Sequence, residues 1–215
     1  MVDLGTNSRL SLEELTVKTA WLLAMVGFLR PSDLERIDLD QCTTSSANVL
    51  QLVIVAPKET RQGSRITKTV TIHPHANHLI CPVSAYKEYQ CRVASSAVLV
   101  PYPVLPDVRI HAFRRSLKNH SAPIGPERIS KHIQPIMQFV SRPAGCPLPE
   151  ARALGATLAA QQAGVSVDDI VVHGNWSSQD LFENFYRISS TTANDFTTQT
   201  LNQQQRSPPT KCNVM

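Results

Sequence analysis

Two arginines, a lysine, a tryptophan and a tyrosine stand out in this chain for the company they keep. Gly27-Phe28-Leu29-Arg30-Pro31-Ser32-Asp33-Leu34 puts an arginine at the end of an apolar helical pattern, just before a proline and a Ser-Asp pair able to cap a new helix. Lys58 lies in a charged turn between two β-branched runs. Ala151-Arg152-Ala153-Leu154-Gly155 opens another helix with an arginine, and Gly174-Asn175-Trp176-Ser177-Ser178 leads into a short amphipathic segment that ends Phe185-Tyr186. A free phenol has a pKa near 10 and is a poor nucleophile. It becomes a good one where cations surround the group it attacks. Guanidiniums grip anionic oxygens through paired N–H bonds, a lysine can deliver a proton, and an indole N–H can only donate.

Each residue also has an ordinary reading. Arg30 alone would bond the carbonyls at a helix end, and Arg152 alone would be a solvated surface arginine. Lys58 has basic neighbours in Arg61, Arg65 and Lys68, and lysines are common at hairpin tips. Trp176 could fill the core beneath the last helix, and an indole can do that while aiming its N–H at a site. Tyr186 could be an amphipathic anchor, although Phe182 and Phe185 already supply apolar bulk. Tyr86, Tyr89 and Tyr102 lack such context and are expected to pack.

The elements that must position these residues can be read from periodicity. Ser11-Leu12-Glu13-Glu14 spells a capping box, and apolar residues then recur at helical spacing from Leu15 to Leu29. Pro31 stops that helix, and Ser32-Asp33 is expected to cap a short second one through Ile37. Val49–Val55 and Ile66–Ile72 read as two strands of a hairpin, and Cys81-Pro82-Val83 opens a helix. Val100 to Pro106 is extended linker or strand edge. Glu127 to Val140 is an amphipathic helix with Ile129, Ile133, Ile136 and Met137 on one side. Ala151 to Ala163 is helical up to Gly164, and Ser166 caps the next helix, which runs to His173. The expected fold class is mainly α with a small antiparallel β-sheet (α+β). Residues 1–10 are expected to be flexible, 11–188 to form the domain, and 189–215 to be a disordered polar tail.

The 215 residues, 42% of them hydrophobic, suffice for one domain with its own core, and a net charge of +4 suits a polyanion without selecting one. Five cysteines without a CxxC pair (Cys42, Cys81, Cys91, Cys146 and Cys212) suggest a reducing compartment with no bridges. No segment is long and apolar enough to span a bilayer, so a soluble intracellular protein is expected, without a membrane partner. His73, His75, His78 and Cys81 could be weighed as a zinc site. No second ligand pair accompanies them, and a histidine-rich connector is the preferred reading, with no metal assigned. Ser84-Ala85-Tyr86-Lys87 spells Ser-x-x-Lys but lacks the motifs that would give it meaning.

In this order, and with the connector Gly164-Val165-Ser166-Val167-Asp168-Asp169-Ile170, the pieces resemble the catalytic domain of the tyrosine recombinase (phage integrase) family. The resemblance is strongest to its eukaryotic, mobile-element-derived branch, which uses tryptophan where bacterial members often have histidine. It covers about residues 11–188. It implies DNA breaking and rejoining through a 3′-phosphotyrosyl link, with Tyr186 as nucleophile and Arg30 and Arg152 clamping the phosphate. Lys58 would be the general acid and Trp176 a donor to a phosphate oxygen, while Arg61, Arg65 and Lys68 would bind DNA. The partner would be double-stranded DNA, with several protomers assembled on it, in the nucleus of a eukaryotic cell. No cofactor is implied, because the covalent link conserves the phosphodiester energy.

Two departures qualify this. The histidine usual three residues before the second arginine is Pro149 here, and the ten residues before the first helix cannot form the family's N-terminal clamp domain. His111-Ala112-Phe113-Arg114 has the His-x-x-Arg spelling but lies too far upstream, and reads as a basic surface segment with Arg115 and Lys118. The departures favour an alternative, a domesticated DNA-binding protein that has lost the chemistry. A third reading is a helical interaction module. Steep salt dependence of duplex binding separates both DNA readings from the third.

Overall fold

The computed structural model describes residues 5–61, 64–102, 107–142, 144–162 and 164–188, without the side chains of residues 58–65. Its centre is α1 (Leu12–Val26), which packs against the later helices α3 (Pro82–Arg92), α4 (Pro126–Met137) and α5 (Ala151–Ala160). The capping box forms as the sequence spells it: Glu14 N–H donates to Ser11 Oγ at 3.2 Å, and Ser11 N–H donates to the Glu14 carboxylate at 2.8 Å. Leu15, Ala20, Leu23 and Ala24 are buried. Residues 5–10, expected to be loose, are tied to the core instead. Asn7–Arg9 makes a 3-10 turn, Lys18 Nζ donates to Gly5 O at 2.8 Å, and Arg92 donates to Asn7 O and Leu10 O.

After α1 the chain reverses through Phe28 in the left-handed region (φ 49°) and enters α2 (Pro31–Glu35). The cap differs from expectation. Pro31 occupies the first helical turn, so Arg30 becomes the capping residue, and its N–H donates to the Asp33 carboxylate at 2.9 Å.

The sheet holds β1 (Thr43–Thr44), β2 (Leu50–Arg61) and β3 (Ser64–Ile72) in that order, all antiparallel. Register runs from Leu50 opposite Ile72 to Val55 opposite Thr67, and resumes after an irregularity with Thr60 opposite Arg65. Along β3 burial alternates strictly. Thr67, Thr69 and Thr71 face out, while Lys68, Val70 and Ile72 face in.

The stretch read as linker or strand edge contributes β4 (Leu99–Pro101), which pairs with β5 (Arg109–His111). The segment after β5 is not a basic surface. Arg114 and Arg115 are fully buried. The Arg114 guanidinium sits 4.6 Å over the Tyr89 ring and donates to Thr16 O, and Arg115 donates to Ser96 O. Aromatic faces at Arg114 and backbone carbonyls at both replace part of the water such cations would otherwise need, while Nε and Nη1 of each are buried without a hydrogen-bond partner among the described residues. Tyr86 and Tyr89 pack against Phe113 as expected of packing tyrosines.

Helix α4 buries Ile129, Ile133, Ile136 and Met137 on one face. Beyond α5 come α6 (Val167–Gly174), capped by Ser166 Oγ accepting from Asp169 N–H at 3.0 Å, and α7 (Gln179–Phe185), capped by Ser178. These gather a second, smaller apolar cluster of Phe28, Ala156, Ile170, Trp176 and Phe182. The architecture is therefore mainly helical with a small antiparallel sheet. The residues expected to form a tail, 189–215, lie outside the described set. Among the described residues no helix is long and apolar enough to cross a membrane.

Candidate active site

Four of the five side chains singled out for catalysis meet at the seam between the two clusters. Arg30, where α1 hands over to α2, donates from Nη2 to the Tyr186 hydroxyl at 2.9 Å across 156 positions of sequence. Tyr186 closes the C-terminal end of α7, its N–H bonded to Phe182 O. Arg152 enters on the first turn of α5 and is only 1% exposed. Its guanidinium lies 4.6 Å from the Trp176 ring and 5.0 Å from the Tyr186 ring, and the two rings are 4.9 Å apart. One cation thus sits over two aromatic faces while another touches the phenol oxygen.

Asp33, Gly174, Asn175 and Thr157 hold this arrangement. Arg152 Nη2 donates to Gly174 O at 2.7 Å, at the end of α6, and its Nη1 lies 3.9 Å from the buried Asp33 carboxylate. Asp33 therefore serves both arginines, capping through the backbone of one and facing the side chain of the other. Gly174 allows the tryptophan its place: a Cβ there would lie 2.1 Å from the Trp176 ring. Asn175 follows in the left-handed conformation (φ 55°), which turns the chain sharply so that Trp176 folds back over the helix end. Thr157 Oγ1 accepts from Ile188 N–H at 2.9 Å and donates to Tyr186 O at 3.4 Å, clamping the backbone on both sides of Arg187.

The indole Nε1 of Trp176 is buried and, among the described residues, has no hydrogen-bond partner. A buried donor without an acceptor costs roughly 1–3 kcal/mol. An oxyanion gripped by the neighbouring guanidiniums would satisfy it. His173, one turn of helix back, plays a different part. Its Nε2 donates to Val26 O at 2.8 Å and its ring meets Phe28 edge-on, while burial holds its pKa below the usual imidazole range. The neutral ring is a strut between α6 and the end of α1.

Pro149 lines a cavity of about 200 Å³ with Arg30, Arg152, Gln134 and Glu150. A wider groove of about 610 Å³ passes Arg30, Pro149, Glu150 and Tyr186. The position that would carry a histidine is therefore beside the arginines. Lys58, Arg61 and Arg65 belong to the paired strands of the hairpin, but their side chains lie outside the described set. Lys68 is 6% exposed, and its Nζ points inward to within 3.5 Å of Gly174 O.

Sequence reasoning missed Thr157, the double service of Asp33 and the inward aim of Lys68. The last had a signal, since period two along Lys68, Val70 and Ile72 puts the lysine on the core face. No comparable signal marked Thr157, whose partners are 29 and 31 residues away. At the histidine-rich connector, His75 N–H donates to Cys81 Sγ and His75 Nδ1 accepts from Asn77 N–H. Among the described residues no three His, Cys, Asp or Glu side chains converge to hold a metal ion.

The fold is that of tyrosine recombinase catalytic domains. XerH, a site-specific recombinase solved in a post-cleavage complex with a palindromic difH substrate, superposes with a TM-score of 0.55 at 13% identity, over 86% of this chain and 47% of that one. The XerA recombinase superposes with a TM-score of 0.51 at 14% identity, over 93% of this chain and 65% of that one. The chain thus spans about half to two thirds of the length of these structures. No protein-family model and no curated protein matches the sequence.

Proposed function

We propose that this chain is a DNA-cleaving and rejoining domain in which Tyr186 attacks a phosphodiester held by Arg30, Arg152 and Trp176. The observation that carries the reading is the 2.9 Å bond from Arg30 to the Tyr186 hydroxyl, with Arg152 stacked on the same ring. A phosphate gripped by these guanidiniums would lie within reach of the phenol oxygen. Such proximity of nucleophile and clamp is worth several orders of magnitude in rate.

Attack by the Tyr186 oxygen on phosphorus forms the tyrosyl ester, releases the phenol proton to solvent and breaks the bond to the 5′ oxygen. Charge then builds on the non-bridging oxygens, where bidentate guanidinium contacts and the indole N–H stabilise it. Lys58, on the hairpin, is the proposed donor of the proton taken by the departing 5′ oxygen. The reverse attack by a 5′ hydroxyl reseals the strand, so neither nucleotide hydrolysis nor a metal ion is required. The proposed partner is double-stranded DNA, met by Arg61 and Arg65 of the hairpin as well as by the site. Assembly of several protomers on paired sites, and a nuclear location in a eukaryotic cell, belong to the same proposal.

One observation favours a second reading. Pro149 stands beside both arginines where a histidine would assist proton transfer, and proline has no group to do so. A DNA-binding descendant that has lost the chemistry would keep the fold and the phosphate clamp.

Trapping on nicked suicide duplexes separates the two. Duplexes drawn from a pool of candidate terminal sequences should yield a covalent protein–DNA adduct on a denaturing gel, absent from Tyr186→Phe. Salt-dependent binding without an adduct across the pool would support the DNA-binding descendant instead.

A further inference from the structure

Lys68 has unusual surroundings for a lysine. It lies at the middle of β3, on the face shared with Val70 and Ile72, opposite Ile54 in register, and is almost entirely buried. Withdrawing an ammonium from water is costly unless local dipoles replace the lost hydration. A suitable dipole lies in front of it. Gly174 O, 3.5 Å from Nζ, is at the C-terminal end of α6, where unsatisfied carbonyls concentrate partial negative charge. The same oxygen accepts the 2.7 Å bond from Arg152 Nη2. A single carbonyl is therefore approached by two cations from different elements, the hairpin on one side and α5 on the other.

That carbonyl immediately precedes the left-handed Asn175 turn, which delivers Trp176 onto the Arg152 guanidinium. On the recombinase reading, which this inference rests on, we propose that Lys68 is a positioning residue for strand cleavage. It anchors the end of α6 from the hairpin side, so that Arg152 and Trp176 are already aimed when a phosphate arrives. It does so without touching DNA. The side chain is inward and closed off, in contrast to a groove-facing lysine that neutralises a phosphate. Because Lys68 shares β3 with the hairpin that carries Lys58 and Arg61, the anchor also ties the hairpin's position to the geometry of the phosphate clamp.

The test compares Lys68→Met and Lys68→Arg with the unsubstituted chain on a duplex that yields an adduct. Three quantities are read: the single-turnover rate of adduct formation, duplex affinity against salt, and the thermal midpoint. Lys68→Met should keep its midpoint, its affinity and its salt slope, while adduct formation slows by about 10-fold or more. Lys68→Arg, which keeps a cationic donor, should recover part of that rate.

An unchanged rate in Lys68→Met overturns the proposal. So does a salt slope shallower by about 0.9, the mark of one lost phosphate contact. A rate loss that tracks a fallen midpoint and is not recovered by arginine would reduce Lys68 to packing and also overturn it. If the unsubstituted chain gives no adduct on any duplex, it is the recombinase reading that fails. The anchor is then judged by Trp176 fluorescence in a Trp21→Phe background. Lys68→Met should shift the emission and Lys68→Arg restore it, and an unmoved emission refutes the anchor.

Discussion

Trp176 and Pro149 are the two residues whose chemistry can be weighed most directly by substitution. Trp176 combines a packed ring with a buried N–H that has no partner among the described residues. Trp176→Phe keeps part of the ring contact with Phe182 and Arg152 while it removes the donor and trims the ring. On the recombinase reading it should slow adduct formation by about 10- to 100-fold, in the range for losing one preorganised donor, while thermal unfolding moves little. A midpoint that collapses would mark Trp176 as structural first. Pro149 allows the opposite experiment. Its side chain faces the cavity shared by Arg30 and Arg152. Pro149→His should raise the adduct rate by about 100-fold if proton transfer limits it. Single-turnover rates across pH, with a new titration step near the imidazole range, would identify the cause.

Close approach between elements depends on two glycines that sequence patterning alone does not flag. Gly155 on α5 faces the backbone of α1, and a Cβ there would sit 2.1 Å from Met25 O. Gly174 is equally confined, but against the Trp176 ring. Backbone cannot swing aside as a side-chain tip can, so Gly155→Ala must separate α1 from α5. It should lower stability by about 2 kcal/mol or more, as overpacking does in cores. Gly174→Ala should disturb Trp176 more than the core, because the small cluster moves with it. Chemical denaturation, with Trp176 fluorescence followed in a Trp21→Phe background, distinguishes a globally weakened protein from one with a displaced tryptophan. Equal global losses with an unmoved Trp176 signal would contradict this division.

At the scale of the whole molecule, two histidines held neutral by burial contribute to how stability answers to acid. His132 on α4 is pushed down to about 4, first by burial and then by the Arg114 and Arg128 guanidiniums, and burial depresses His173 as well. An imidazole whose folded pKa lies below its unfolded value binds more protons when unfolded. Its stabilisation is complete above the unfolded value of roughly 6.5 and is lost as pH falls toward the folded one. The thermal midpoint should therefore fall between about pH 6.5 and about pH 4, and His132→Gln should flatten that slope. His132 is only half-buried, so solvent screening limits its share. A pH profile identical in His132→Gln and the unsubstituted chain would refute its part.

Much of this protein follows from local rules that need no tertiary knowledge. The capping box at Ser11, the alternation along β3 and the apolar face of α4 are set by neighbours two to four positions apart, and the structure forms each of them, whereas α1 ends at Val26 and not at Pro31, which opens α2 instead. The order of Arg30, Arg152, Trp176 and Tyr186 was legible too, because each sits at the boundary of an element that announces itself. What the chain alone did not decide was which polar atoms would find one another over long separations. Arg114 and Arg115 look like surface cations by type, yet aromatic rings and carbonyls from α1 and α3 and the segment after it close over them. Asp33, Thr157 and Lys68 acquire their parts only when α2, α5, α6 and the hairpin meet. Spacing along a sequence encodes the faces of helices and strands. Which face meets which, and hence which carbonyl a buried cation will share, is settled by packing.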